Sequence, residues 1–163
     1  MIVEIITIGR ELLHGLVRNT NPDMISGLLA EAGLWPSYQT TVGDEPEHLG
    51  EALRAAVHRS DLVILTGGLG PTADDITRKV IATVFRRRLI LDPLVLDQIR
   101  ARFKARGIEM PPINESQALV PRGASVIENP VGSAPGLHSP TRRPSASRTR
   151  ACRPRPRRCS APT

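Results

Sequence analysis

The sequence predicts an α/β protein, a three-layer α/β/α sandwich around a mainly parallel sheet. Short β-branched runs alternate with stretches of about 10–15 residues that carry helical periodicity, the pattern of successive βαβ units. The chain's most glycine-rich stretch, TGGLGPTADD at 66–75, lies directly between an apolar strand and a helix. Ligands in such folds bind beyond the carboxyl ends of the strands, so the loop stands where a site is expected. At 163 residues the chain is one domain's worth, with Leu, Ile, Val and Ala left to fill a core that has only 2% aromatics.

The elements follow in order. IVEIITI at 2–8 is a buried strand that stops at Gly9. NPDMISGLLAEAG is a helix, with Asn21 as its cap, Pro22 in the first turn and Gly33 at its end. Met24, Ile25, Leu28, Leu29 and Ala32 form its apolar face. A strand over Ser37–Val42 precedes a helix over Pro46–His58 whose inward residues are Leu49, Leu53, Ala56 and Val57. DLVIL at 61–65 is a third strand. After the glycine loop a helix begins near Asp75, with Ile76, Val80, Ile81 and Val84 as its stripe. Leu89–Leu91 reads as a short strand, Pro93–Arg106 as a helix with Arg100, Arg102 and Arg106 on a solvated face, and Ser125–Glu128 as a further strand.

Composition splits the chain. The net charge of +6 invites a nucleic-acid reading, but residues 137–163 hold eight arginines and no acid. Removing those eight from the 22 basic residues leaves 14 against 16 acidic ones, a net charge of −2 for 1–136. Both cysteines, Cys152 and Cys159, also lie in this last segment, which excludes a disulfide framework or thiolate metal site in 1–136. A segment so rich in Arg, Pro and Ser cannot bury a core and is expected to be disordered. Its composition is that of GC-rich DNA read out of frame; the rival is a natural basic tail binding nucleic acid non-specifically. The apolar start lacks a signal-peptide pattern, and no run approaches the roughly 20 apolar residues that span a bilayer. A cytoplasmic protein without membrane association is expected.

Three loops share the candidate edge: Gly9–Asn21, Gly43–Glu45 and Gly67–Asp75. The glycine loop can present backbone N–H groups to an anion. It is not a Walker A loop, since no Gly-Lys-Ser/Thr follows. GLGPTA at 68–73 fits the dinucleotide pattern, with Asp92 placed for a ribose, but it follows the third strand and runs straight into Asp74 and Asp75. Either aspartate could simply cap the next helix. With Asp44 on the neighbouring loop, the carboxylates make sense around a phosphate if Mg²⁺ or Mn²⁺ bridges them. Glu11 is a further candidate ligand for a metal or a ribose, while His14 reads as a surface or packing residue.

Taken in order, TIGRELLHGLVRNTN, QTTVGDEPEHL, DLVILTGGLGPTADDITRKVIA and NESQALVPRGASVIENPVGSAPG resemble the N-terminal domain of the competence/damage-inducible protein A (CinA) family from Met1 to about Gly136. That domain shares the molybdopterin-binding fold of MoaB and MogA. The resemblance implies an oligomeric domain that binds a phosphorylated nucleotide or pterin. It further implies hydrolysis of an ADP-ribose-type diphosphate with a divalent cation (Mg²⁺, Mn²⁺ or Co²⁺). The alternative it implies is a molybdopterin-binding or adenylylating module of molybdenum-cofactor synthesis. Asp44 and Asp75 match the key acids, with Asp74 as a possible third metal ligand. Thr66, Gly67, Gly68, Gly70, Pro71, Thr72 and Thr77 match the ligand loop, joined by Glu11 and Asn21. The family continues past NPVGSAPG into a strand, a Pro-Gly-x-Pro turn and a closing helix, where the arginine-rich segment stands here. The resemblance therefore implies a sandwich incomplete at the C-terminus, and a frameshifted, inactive truncated fragment is a third expectation.

Overall fold

The computed structural model describes residues 1–72 and 75–140. Its centre is strand β1 (Val3–Ile8), every residue of which is buried. Parallel strands β2 (Pro36–Val42) and β3 (Leu62–Thr66) flank it in the order β2-β1-β3. Parallel neighbours cannot be joined by a tight turn, so the chain crosses over through helices. The short α1 (Arg10–Leu13) and α2 (Asn21–Glu31) connect β1 to β2, and α3 (Pro46–Arg59) connects β2 to β3. Right-handed crossovers to opposite sides of β1 place α2 and α3 on opposite faces of the sheet, which gives the three layers. The expected parallel α/β sandwich is the fold observed.

The core lies on the α3 face. Ile6 and Ile8 pack with Leu49, Leu53 and Ala56 of α3 and with Ile76, Val80 and Ile81 of the α4 region (helix α4, Thr77–Val84). Each such aliphatic side chain contributes about 1.5–3 kcal/mol through burial. At the opposite end of β1 from the glycine loop, Glu4 is fully buried. It accepts from Arg59 Nε at 2.9 Å, Ser60 Oγ at 3.0 Å and Thr40 Oγ1 at 3.1 Å. Arg59 in turn lies over the Tyr38 ring, 4.3 Å from its centroid. These bonds hold the Glu4 carboxyl below its ordinary range, against the upward push of burial.

Two expectations about helices are corrected. Asn21 is the first residue of α2 rather than its cap; Thr20 holds the cap position and makes no side-chain capping bond. The apolar face of α2 is also rotated from the one expected. Met24 and Leu28 are 62% and 59% exposed, while Ile25 and Leu29 are half-buried beside Ser26, which accepts from Gln39 at 3.2 Å. The helix carries more apolar positions than one sheet-facing stripe can bury.

The later strands leave the parallel sheet. β4 (Leu89–Leu91) pairs antiparallel with β5 (Leu119–Pro121), and β6 (Ser125–Ile127) with β7 (Gly136–His138). Helix α5 (Pro93–Ala105) and the 3-10 turn Pro112–Ala118 close a second core of Val95, Leu96, Ile99, Ala118 and Val120. Arg102 is not on a solvated face, because its guanidinium donates to the Asn129 and Gly132 carbonyls. Leu137 and His138 belong to β7, and Arg87 donates to Ser139 Oγ and the Pro140 carbonyl at 2.9 and 2.8 Å. Structure thus continues past the boundary expected at Gly136; residues 141–163 lie outside the described residues. A cavity of about 490 Å³ runs along the open edge of β3, lined by Val57, Ile64, Ile81, Phe85 and Leu137 among others. Among the described residues no helix is long and apolar enough to cross a membrane.

Candidate functional site

Each of the three parallel strands carries a threonine one or two residues before the glycine that follows it: Thr7-Ile8-Gly9, Thr41-Val42-Gly43 and Thr66-Gly67. Register places Thr7 beside both Thr41 and Thr66, so the hydroxyls form a row across the carboxyl edge of the sheet. Thr7 Oγ1 lies 2.9 Å from Thr41 Oγ1, and Asn19 Nδ2 donates to Thr7 Oγ1 at 2.8 Å. Asn21 Nδ2 donates to Thr66 Oγ1 at 3.1 Å. The segment Asn19–Asn21 therefore straps the first loop to the strand ends, and Asn21 serves this edge rather than its helix.

The first two loops are tied to each other. Gly9 N–H donates to the Val42 carbonyl at 3.0 Å and Arg10 N–H to Asp44 Oδ2 at 3.3 Å. Arg10 also pairs with Glu45 at 3.3 Å. Carboxylates fill the space that side chains would take at two glycines. A β-carbon on Gly9 would sit 2.3 Å from Glu11 Oε1, and one on Gly43 would sit 2.2 Å from Glu45 Oε2.

The third loop is held from inside by its own helix. Thr77, fully buried, donates through Oγ1 to the Gly67 carbonyl at 2.9 Å and through its N–H to the Gly68 carbonyl at 3.2 Å. Arg78 donates to the Leu69 and Gly70 carbonyls at 2.5 and 2.8 Å. Four successive carbonyls are thus turned towards α4. Gly67 makes the approach possible: its φ is +105°, and a β-carbon there would meet the Ile8 carbonyl oxygen at 2.2 Å. Asp75 grips the outer half of the loop. Its carboxylate accepts from Gly70 N–H at 2.7 Å, Thr72 N–H at 2.7 Å and Thr72 Oγ1 at 2.5 Å. Burial pushes this carboxyl up, but the Thr72 and Gly70 bonds and the charge of Arg78 more than offset it and hold the group below its ordinary range.

Several expectations change accordingly. Asp75 is neither a helix cap nor an open ligand: α4 begins at Thr77, and the carboxylate points back into the loop. Thr77 is buried against the loop carbonyls and Thr72, though exposed, gives its N–H and hydroxyl to Asp75, so both shape the loop. Thr66, Gly67, Gly68 and Gly70 sit in the loop as expected, with Pro71 half-buried beside them; Asp74 lies outside the described residues. Among the described residues no three Asp, Glu, His or Cys side chains gather where they could hold one metal ion. Asp92, placed for a ribose by the dinucleotide pattern, instead caps α5 by accepting from Leu94 and Val95 N–H at 3.0 and 3.2 Å. Arg78 and the Thr7–Thr41 pair were not anticipated as parts of the site. The repeated Thr before each strand-ending glycine was the available signal for the pair, and nothing local marks Arg78.

A parallel sandwich with a clamped glycine loop at its carboxyl edge is the architecture of the molybdopterin-binding-domain class. The family model for a probable molybdopterin-binding domain matches residues 4–146. A putative competence-damage inducible protein of Caldicellulosiruptor saccharolyticus is 49% identical over 84% of this chain and 33% of its own length. A CinA-like protein of Nostoc punctiforme is 44% identical over the same shares. The crystal structure of a CinA protein from Thermoplasma acidophilum superposes with a TM-score of 0.75 at 38% identity, covering 83% of this chain and 79% of that one. The MoaB molybdopterin biosynthesis enzyme of Thermus thermophilus, at 22% identity and a TM-score of 0.50 over 73% of this chain and 77% of its own, shares the fold. The chain belongs to the molybdopterin-binding-domain family, in its CinA-like branch. It spans about a third of the length of the curated relatives it matches.

Proposed function

We propose that this domain binds a phosphorylated nucleotide or pterin over the Gly67–Thr72 loop and hydrolyses an ADP-ribose-type diphosphate with a divalent cation (Mg²⁺, Mn²⁺ or Co²⁺). The observation that carries the reading is the clamped loop. With the carbonyls of residues 67–70 taken by Thr77 and Arg78, the Gly68 and Leu69 N–H groups make no hydrogen bond among the described residues. Rigid backbone donors of this kind suit phosphate oxygens and need no reorganisation when the ligand arrives.

The donor chemistry fits a hard cation. Among the described residues Asp44 accepts one long bond, from Arg10 N–H, so its carboxylate keeps lone pairs for a metal; Glu11 is the second oxygen donor on these loops. Asp75, matched to the key acid by resemblance, is engaged with three donors and acts through the loop. When bound, the cation would polarise the diphosphate and lower the pKa of a coordinated water. The protein's own part is to fix the phosphate on the loop amides and to keep the loop from relaxing. The rest follows the resemblance: a cytoplasmic homo-oligomer acting on a small molecule.

The decisive measurement is ADP-ribose turnover by the full chain with Mg²⁺ and with EDTA. Turnover with Mg²⁺ that EDTA abolishes supports the reading, and turnover unaffected by EDTA overturns the metal's role. The second reading, a molybdopterin-binding or adenylylating module, draws on the family match over 4–146. It predicts tight molybdopterin binding without diphosphate hydrolysis. Binding of neither ligand would make this chain an inactive fragment.

A further inference from the structure

Arg78 is in an expensive place. It is only 4% exposed, and it sits at the second position of α4, where the helix dipole disfavours a cation. Its two hydrogen bonds go to neutral carbonyls, those of Leu69 and Gly70. Among the described residues no carboxylate comes within the 4.0 Å of an ion pair with it. Among the described residues the acid whose charge acts on it is Asp75, which spends its oxygens on Gly70 and Thr72. A buried guanidinium without a paired anion costs stability. A bound anion on the other side of the loop would offset that cost.

We propose that Arg78 is the positioning residue of the ligand loop: it holds the Leu69 and Gly70 carbonyls inward, so that the loop amides face a bound phosphate, and it places a fixed positive charge beneath that phosphate. The inference rests on the phosphate-ligand reading of this loop and adds a group that never touches the ligand. Arg78 and Asp75 divide the work, one taking carbonyls and the other taking N–H groups, so the loop is held from both sides. Lysine at 78 would keep the charge but could not span two carbonyls as a planar fork does.

The test compares the full chain with Arg78→Met, Arg78→Lys and, as a remote destabilised control, Glu4→Gln. Hydrogen exchange of the ligand-free protein reads the clamp without any substrate. Arg78→Met is expected to speed exchange at Gly70 and Thr72 by about tenfold or more, as loss of charge-assisted bonds requires, with β1 unchanged. ADP-ribose kinetics then read the charge. KM rises by about tenfold or more in Arg78→Met with kcat within about threefold, and Arg78→Lys recovers part of the KM. Unchanged loop exchange in Arg78→Met overturns the inference whatever the substrate. So does a KM defect no larger than that of Glu4→Gln at matched stability. Absence of ADP-ribose turnover in the unsubstituted chain counts against the proposed activity instead, and the exchange result still decides the role of Arg78.

Discussion

The Asp75 carboxylate accepts both the backbone N–H and the hydroxyl of Thr72, at 2.7 and 2.5 Å. One side chain thereby closes the outer turn of the glycine loop and occupies donors that an incoming anion could otherwise use. Asp75→Asn keeps the volume but replaces an acceptor with an amide that must donate. We expect a loss of about 1–3 kcal/mol in stability, the penalty for mismatched hydrogen-bond partners, with exchange rising at Gly70 and Thr72. Urea denaturation with loop hydrogen exchange checks it; wild-type protection in the variant would refute the closing role.

The same carboxyl, with Glu4, sets the acid side of the stability profile. Both are held below their ordinary range in the folded protein. Their contribution is therefore fully present above the unfolded carboxyl range, about pH 4, and is lost as pH falls through the folded values. The urea midpoint is expected to fall steeply below about pH 4, and Glu4→Gln is expected to flatten that fall.

Glu4→Gln itself tests the buried network at the far end of β1. Removing one partner of a buried pair typically costs about 3–5 kcal/mol, but Arg59 is 41% exposed and can rehydrate, so about 2–3 kcal/mol is expected. Equilibrium urea unfolding measures it. A change below about 0.5 kcal/mol would show that the bonds from Arg59, Ser60 and Thr40 to Glu4 are not holding β1 to β2 and α3.

Gly67→Ala addresses the close approach of the loop to β1. A methyl group there meets the Ile8 carbonyl at 2.2 Å with φ at +105°. We expect a loss of about 2–4 kcal/mol from the strained backbone together with loss of ligand binding, read by thermal melting and ADP-ribose titration.

Asp44→Asn should separate chemistry from folding. Among the described residues Asp44 has a single bond at 3.3 Å, so stability should stay within about 0.5 kcal/mol of wild type. If Asp44 holds the cation, Mg²⁺-dependent turnover falls by about a hundredfold or more. Full activity in the folded variant would move the metal elsewhere.

How much was legible can be argued residue by residue. The β-branched run at Val3–Ile8 and the spacing of Leu49, Leu53 and Ala56 were sufficient for the parallel layers, because burial on both sides of a strand and on one side of a helix leaves a periodic trace. Gly67 and Gly68 were legible as a loop because only glycine meets their positive φ without strain. The face of α2 was not, since Met24 and Leu28 are as apolar as Ile25 and Leu29, and which pair meets the sheet depends on how the helix lies across it.

From the sequence alone came the alternation of strands and helices, the place of the glycine loop and the identity of the acids around it. All of these are local signals, carried by residue type and spacing. The tertiary structure decided what those residues do. Asp75 turns inward because the Gly70 and Thr72 N–H groups converge on it, and the Asn21 side chain bonds Thr66 instead of capping α2 because Thr66 lies within reach across the sheet edge. Arg78 acquires its role from two carbonyls eight and nine residues away, brought to it by the fold of the loop. Hydrogen-bond partners are chosen by distance in space, and no pattern of spacing along the chain records that choice.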